Sequence, residues 1–554
     1  MLKQGLLTVA ALAFAQGAMA QPRAGADGQF QQIPPVPATQ KAIPDIRIER
    51  RDAAPAPLPG GPEVMVKTLR VTGQTRFSEA ALIVASGFTP GRALSLSDLR
   101  QLAGRIAAYY NRRGYFLAQA YLPAQDIKDG VVTISVIEGR YGRVVLRNHT
   151  NLSNGLAKDV LSGLNKGDVV ATDPLERRLL LLSDVPGVRV ASTLVPGEAV
   201  GDSDLIVDLN PGKRISGVLE ADNAGSRYTG EIRGGATINL NDPTGHGDQA
   251  TVRVLTSGEG LTYLRGSYQA QWRNLTVGVA YSALWYHLGR EFSQLDASGT
   301  AEVASLYASY PLIRSHDNNL NLVGDFDYRT FQDKVGAAFA VTDKTADVLG
   351  IGVAGDHRDS LGGGGSDTYS LIFSAGDLDI RSAQALVVDA ATARTNGGYG
   401  KLAFYVDRQQ AISGPFSLFG AVRGQVASKN LDISEKMELG GAYGVRAYPE
   451  GEGYGDQGYV ATVEGRLALP RWRVLPGRTM LFVLADTGQV DEAKTPWAPG
   501  VNTLTRSGAG VGVSWTDNNN FLLKVTYASK LGGAKATSAP DAPGRLWVQL
   551  AKFF

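Results

Sequence analysis

The sequence predicts a transmembrane β-barrel of sixteen antiparallel strands, preceded by two small α+β modules. Three observations predict it. Residues 213–554 carry no helical periodicity and instead alternate apolar and polar positions in segment after segment. Beyond the N-terminal leader there is no run of 18 or more apolar residues, so no segment can cross a bilayer as a helix. The chain ends on Phe553-Phe554, an aromatic close to an alternating segment.

The elements follow in order. Lys3, the ten-residue apolar stretch Leu6 to Ala15 and Ala18-Met19-Ala20 read as a signal peptide over 1–20. A mature chain exported this way is periplasmic, secreted or inserted in an outer membrane. Composition narrows the choice. Cysteine is absent, which excludes a disulfide framework and any thiolate metal site. A net charge of +2 supplies no long-range field for nucleic acid.

Residues 21–62 hold nine prolines, including Pro34-Pro35-Val36-Pro37, and read as an extended linker that could act as a plug. Over 63–139, Val64 to Val71 predicts a strand, Ser95 to Arg113 a helix, and Tyr115 to Leu122 and Val131 to Ile137 two further strands. The plan repeats over 140–212. Arg143 to Arg147 is a strand, Gly155 to Leu164 a helix, and a second helix runs from Asp173-Pro174 to Gly187. Val188 to Leu194 and Leu205 to Leu209 close the module.

Sixteen alternating segments can be delimited between Ile215 and Phe554. In one, Thr262, Leu264, Gly266, Tyr268, Ala270 and Trp272 share a face, backed by Tyr263, Arg265, Ser267, Gln269 and Gln271. That pattern suits lipid on one side and a polar lumen on the other. In the last segment Leu546, Val548, Leu550 and Phe554 share a face, and Lys552 interrupts it where a lysine can snorkel.

A glycine-rich loop over 429–457 sits between two of these segments and carries Arg446. It reads as an element folded into the lumen. Gly453 to Gly458 spells G-x-G-x-x-G, but a strand follows it where dinucleotide binding requires a helix. The five histidines show no ligand spacing. His357, in Asp356-His357-Arg358-Asp359, reads as a solvated loop residue. No catalytic motif or cofactor site emerges, so the chain is not expected to be an enzyme.

Tyr110-Asn111-Arg112-Arg113-Gly114-Tyr115-Phe116, Ala120 to Gln125 and Asp129 to Gly139 resemble the first periplasmic POTRA domain of two-partner secretion transporters (TpsB proteins). The resemblance implies POTRA 1 over 63–139, POTRA 2 over 140–212 and an outer-membrane barrel over 213–554. It implies a large secreted passenger bound by the POTRA domains, export without ATP, and contacts with outer-membrane lipid and the barrel-assembly machinery. Phe554 would serve as the barrel's C-terminal signal. Val445-Arg446-Ala447-Tyr448 resembles the family's pore-loop tip, with Ala447 where the family usually has glycine. Leu484-Ala485-Asp486-Thr487-Gly488 resembles its partner motif on the barrel wall. A desolvated guanidinium needs a counter-charge, so Arg446 is expected to pair with Asp486. Asp486 shares strand parity with Phe482 and Leu484, so that face is inward and apolar or the strand is interrupted. The alternative is an assembly or insertase factor of the same superfamily.

Overall fold

The computed structural model describes residues 25–37, 45–48, 62–470, 476–517 and 520–554. The expected leader over 1–20 lies outside the described residues.

In the first module the strand Thr68–Thr72 lies parallel to Val131–Ile137, which Gln119–Tyr121 flanks antiparallel. The helix Leu96–Asn111 starts where Ser95 caps it, with Asp98 N–H donating to Ser95 Oγ at 3.2 Å and Ser95 N–H donating to Asp98 Oδ2 at 2.9 Å. Its stripe Leu99, Leu102, Ala103, Ile106 and Tyr110 is buried against the sheet. The strand expected over Tyr115 to Leu122 shortens to three residues. Tyr115 turns edge-on to Phe77 and Tyr110, while Phe116 and Leu117 leave to pack on the core of the second module. A helix at Glu79–Ser86 has no counterpart in the sequence reading; its run Ala-Ala-Leu-Ile-Val-Ala gives little polar contrast from face to face.

Glu138 ties this module together. It accepts from Thr75 N–H at 2.6 Å, Arg76 N–H at 2.8 Å and Tyr110 OH at 2.9 Å, and Thr75 Oγ1 is a further donor. Burial opposes its ionisation, but these donors, Thr75 foremost, outweigh burial and hold the carboxyl below its ordinary value.

The second module is a four-stranded sheet in the order Asp45–Ile48, Val188–Pro196, Asp202–Pro211, Arg140–Asn148, with helices Asn154–Leu161 and Thr172–Ser183. Two findings correct the sequence reading. The helix expected to reach Gly187 stops at Ser183, because Pro186 bars its predecessor from helical geometry. The stretch read as a linker contributes a strand, Asp45–Ile48, to the edge of this sheet. That strand occupies the proline-free interval between Pro44 and Pro55.

Beyond it, sixteen strands close into an antiparallel barrel among the described residues, each pairing with its neighbour in sequence. The first, Ile215–Asp222, meets the last, Gly544–Phe553, with Val218 opposite Phe553. Gly217 and Phe554 exchange two backbone hydrogen bonds at 3.1 Å each, which completes the seam. The alternation faces as expected: Leu264, Tyr268 and Trp272 are exposed on the outer wall, while Leu261 and Tyr263 are buried inward. Lys552 reaches Asn520 at the nearby turn and lies 4.2 Å over the Phe521 ring. His357 and Asp359 belong to the strand Ala340–Asp359, not to a loop.

The second module is fixed to the near rim of the barrel. Asp184 accepts from Arg314 Nε at 2.7 Å and Nη2 at 3.0 Å. Arg177 donates to Pro311 O at 2.9 Å, where a bulge tolerates proline in the strand.

Candidate lumenal site

The loop between the eleventh strand, Phe416–Ala427, and the twelfth, Gln457–Ala468, folds back inside the barrel. Its stem is a two-residue ladder, Met437–Glu438 against Tyr454–Gly455. At its tip Arg446 reaches the wall, donating to Asp486 from Nε at 2.9 Å and from Nη2 at 2.8 Å. Its own N–H adds a third bond to Asp486 at 3.1 Å. The remaining arm, Nη1, donates to Glu464 at 2.6 Å. Trp547 Nε1 donates to Arg446 O at 2.7 Å, fixing the backbone as well. Both carboxylates and the guanidinium are buried, so each charge depends on the others.

The strand Arg478–Asp491 runs uninterrupted past Asp486, so the inward face is apolar. Phe482 and Leu484 are buried there with Val445, Ala447, Tyr448 and Leu439 of the loop. Asp486 is a charge seated in a greasy wall. Gly488 leaves room for the loop, since a Cβ there would stand 2.7 Å from Leu439 Cδ1. Tyr448 donates to Ala534 O at 3.1 Å, and the guanidinium of Arg506 lies 5.2 Å from its ring.

Sequence reasoning did not assign Glu464 to Arg446. It also missed three further ties. Glu452 accepts from Arg506 Nη2 at 2.7 Å and from Ser538 N–H at 3.0 Å. Asp456 meets Lys436 and accepts from Leu431 N–H at 3.0 Å. Glu435 pairs with Lys401 at 2.6 Å and Arg329 at 2.5 Å. Acid-rich loop sequence facing strands with inward basic residues is the signal that could have shown them.

A second element of the chain also occupies the lumen. The helix Ala26–Gln31 packs on inward-facing Tyr263, Leu284, Tyr286, Ala301 and Phe331, with Phe30 edge-on to Tyr263 at 5.9 Å. Ala26 N–H donates to Asp333 at 2.8 Å, and Gln29 accepts from Thr229 at 2.9 Å. Arg233 and Arg253 each donate to the backbone just after the helix, at Gln32 O and Pro34 O, both at 2.8 Å. Gln32 donates to Tyr454 of the loop stem at 2.8 Å, so helix and loop touch.

His357, Asp359 and Asp367 lie close together, but Arg408 already serves both carboxylates, at 3.0 Å from Asp359 and 2.8 Å from Asp367. One guanidinium of the chain itself thus already bonds both carboxylates of the cluster.

Paired periplasmic modules, a closed outer-membrane barrel and a lumen filled by the chain's own loop and helix define an outer-membrane protein transporter. The chain belongs to the haemolysin secretion/activation protein ShlB/FhaC/HecB family, whose sequence model matches residues 201–515. The ShlB-type POTRA domain matches residues 64–139. The heme/hemopexin transporter protein HuxB of Haemophilus influenzae (strain 86-028NP) is 28% identical, over 80% of this chain and 79% of its own. The outer membrane transporter CdiB of Dickeya dadantii is 22% identical over 72% and 71%. The solved structure of CdiB from Escherichia coli superposes with a TM-score of 0.70 at 20% identity, covering 91% of this chain and 93% of that one. The protein is a two-partner secretion transporter of the outer membrane, and the assembly-factor alternative is set aside.

Proposed function

We propose that this chain captures one large exoprotein in the periplasm through its POTRA modules and passes it outward through the barrel without ATP. In this reading residues 429–457 are the pore loop, Arg446 is the latch at its tip, and Asp486 with Glu464 is the catch on the wall. The helix Ala26–Gln31 is a plug. Both elements leave their seats to admit the passenger, and folding of the passenger outside biases the movement.

The observation that carries the reading is the seating of Arg446. Its guanidinium and backbone make four bonds to two buried carboxylates on neighbouring strands, holding a loop where a translocating chain must pass. A bond of this kind is strong when made and can be lost as a unit once water enters. The helix is held differently, by apolar packing and single hydrogen bonds, with no buried ion pair described on it. That fits an element that departs more readily than the loop.

Comparing proteins of the culture supernatant and the outer membrane, with and without the gene, tests the proposal. Loss of one large secreted protein with other barrels unchanged supports it. Depletion of many barrels with an unchanged supernatant defeats it.

A further inference from the structure

The corner between the second module and the barrel holds a pocket of about 440 Å³ that neither the loop nor the lumenal helix touches. That volume lies in the roughly 300–1,000 Å³ range of small-ligand sites. Arg178, on the helix Thr172–Ser183, stands on the module side. Arg273 and Asn274, in the turn between Leu261–Trp272 and Leu275–His287, stand on the barrel side, with Trp272 and Tyr310 beside them. This turn is at the periplasmic end, where the neighbouring turn meets the module: Ser153 N–H donates to Gly245 O at 2.8 Å.

Charge is left unbalanced here. Arg178 donates to Val160 O at 3.3 Å, and the Arg273 side chain makes no hydrogen bond among the described residues. Neither arginine has a carboxylate partner among those residues. Burial, with Arg177 beside it, holds the Arg178 guanidinium below its ordinary value. Arg177 itself is engaged at the barrel rim, donating to Leu312 O at 3.1 Å and Pro311 O at 2.9 Å. The pocket's one carboxylate, Asp159, is exposed, so two arginines against one aspartate leave the lining at +1. One phosphodiester is the complement of that charge. Asn274 Oδ1 is buried with no hydrogen-bond partner among the described residues, and so calls for a donor. Arg273 sits at φ 55°, a left-handed conformation that tight hairpin turns usually give to Asn or Gly, so a cation is kept there at a backbone cost.

The pocket also lies at headgroup height. Trp272, Tyr310 and Leu312 are exposed on the outer wall at its periplasmic end. Aromatic residues so placed mark the membrane–water interface. The periplasmic leaflet of an outer membrane is built of phospholipid, and basic pockets at such a level suit lipid phosphates.

We propose that the pocket holds the headgroup of one phospholipid from the periplasmic leaflet. Arg178 and Arg273 take its phosphodiester, an N–H or O–H of the headgroup donates to Asn274 Oδ1, and the acyl chains run past Trp272 and Tyr310. Arg178 belongs to the module and the other groups to the barrel, so the lipid staples the two together beside the direct contact at Arg177. Choline, which has no N–H or O–H, would satisfy the arginines but not Asn274.

The full-length protein, freed of lipid in detergent, is mixed with labelled phosphatidylethanolamine, and the lipid retained through gel filtration is measured. Arg178→Gln with Arg273→Gln is expected to weaken retention at least about tenfold, with heat-modifiable mobility on gels confirming a folded barrel. Lys166→Gln, at an exposed cation elsewhere on the module, is expected to leave retention unchanged. Phosphatidylcholine is expected to be retained less, and excess inorganic phosphate to leave the bound lipid in place. Hydrogen exchange over Thr172–Ser183 is expected to slow with lipid in the wild type and not in the double variant. Wild-type retention by the double variant, or equal retention of phosphatidylcholine, overturns the inference. Displacement by inorganic phosphate also overturns it, since the site would then serve a free anion.

Discussion

The methyl group of Ala447 fills the space above Gly508: a Cβ placed on Gly508 would stand 2.5 Å from the Ala447 Cβ. The loop tip carries alanine at position 447, and the opposing strand position is a glycine. Ala447 has no left-handed backbone to strain it. The extra methyl is accommodated by the wall.

Gly508→Ala is therefore expected to lift the loop tip, since overpacking costs about 1–3 kcal/mol. Conductance in planar bilayers should rise. Adding Ala447→Gly should recover part of the closed time, the remainder being limited by Ser529 O, 3.1 Å from the new methyl. Equal conductance of the single and double variants would show that the two positions do not meet.

Arg446→Ala strands two buried carboxylates, and losing one side of a buried ion pair costs about 3–5 kcal/mol. Loop unseating, raised conductance and reduced secretion are expected. Exchanging charges, Arg446→Asp with Asp486→Arg, leaves Glu464 facing the new aspartate. Rescue by the exchange should therefore be partial, and better when Glu464→Gln is added. Secretion and conductance measured across the three variants decide this.

Phe30→Asp places a charge against Tyr263 and Phe331 in the lumen wall. An unpaired carboxylate is not tolerated among those rings, so the helix should leave. Open-channel time should rise while heat-modifiable barrel mobility on gels stays as in the wild type. Unchanged conductance would mean the helix does not block ions.

The first module should weaken in acid through Glu138. Its carboxyl titrates below the ordinary value when folded, so its stabilisation is complete above the unfolded value and fades as pH falls through the folded one. Glu138→Gln removes charge-assisted bonds worth about 1.5–3 kcal/mol each and should abolish this acid-dependent part. Hydrogen exchange over residues 64–139 of the full chain, at neutral pH and near pH 3, should show the wild type converging on the variant.

Much of this was legible from pattern. Alternation with period two marks the faces of Leu261–Trp272 and Gln457–Ala468, because each strand is wetted by lipid on one side only. The capped, striped helix Leu96–Asn111 was legible for a like reason. The short helix Glu79–Ser86 was not, because its residues are apolar on nearly every side. The need of a buried cation for a carboxylate called for an acidic partner to Arg446, and the resemblance to the family's wall motif pointed to Asp486.

By itself the sequence determined which residues alternate, where strands begin and which charges demand partners, since these follow from local chemistry along the chain. Only the tertiary structure decided which partners meet. Glu464 joins Arg446 because barrel register sets it beside Asp486 on the neighbouring strand, with Thr462 opposite Asp486 in the ladder. Asp45–Ile48 pairs with a strand 146 residues away, through backbone groups that every residue but proline carries in full. Nothing in four side chains encodes that choice; it is made by the sheet edge that the fold sets beside them.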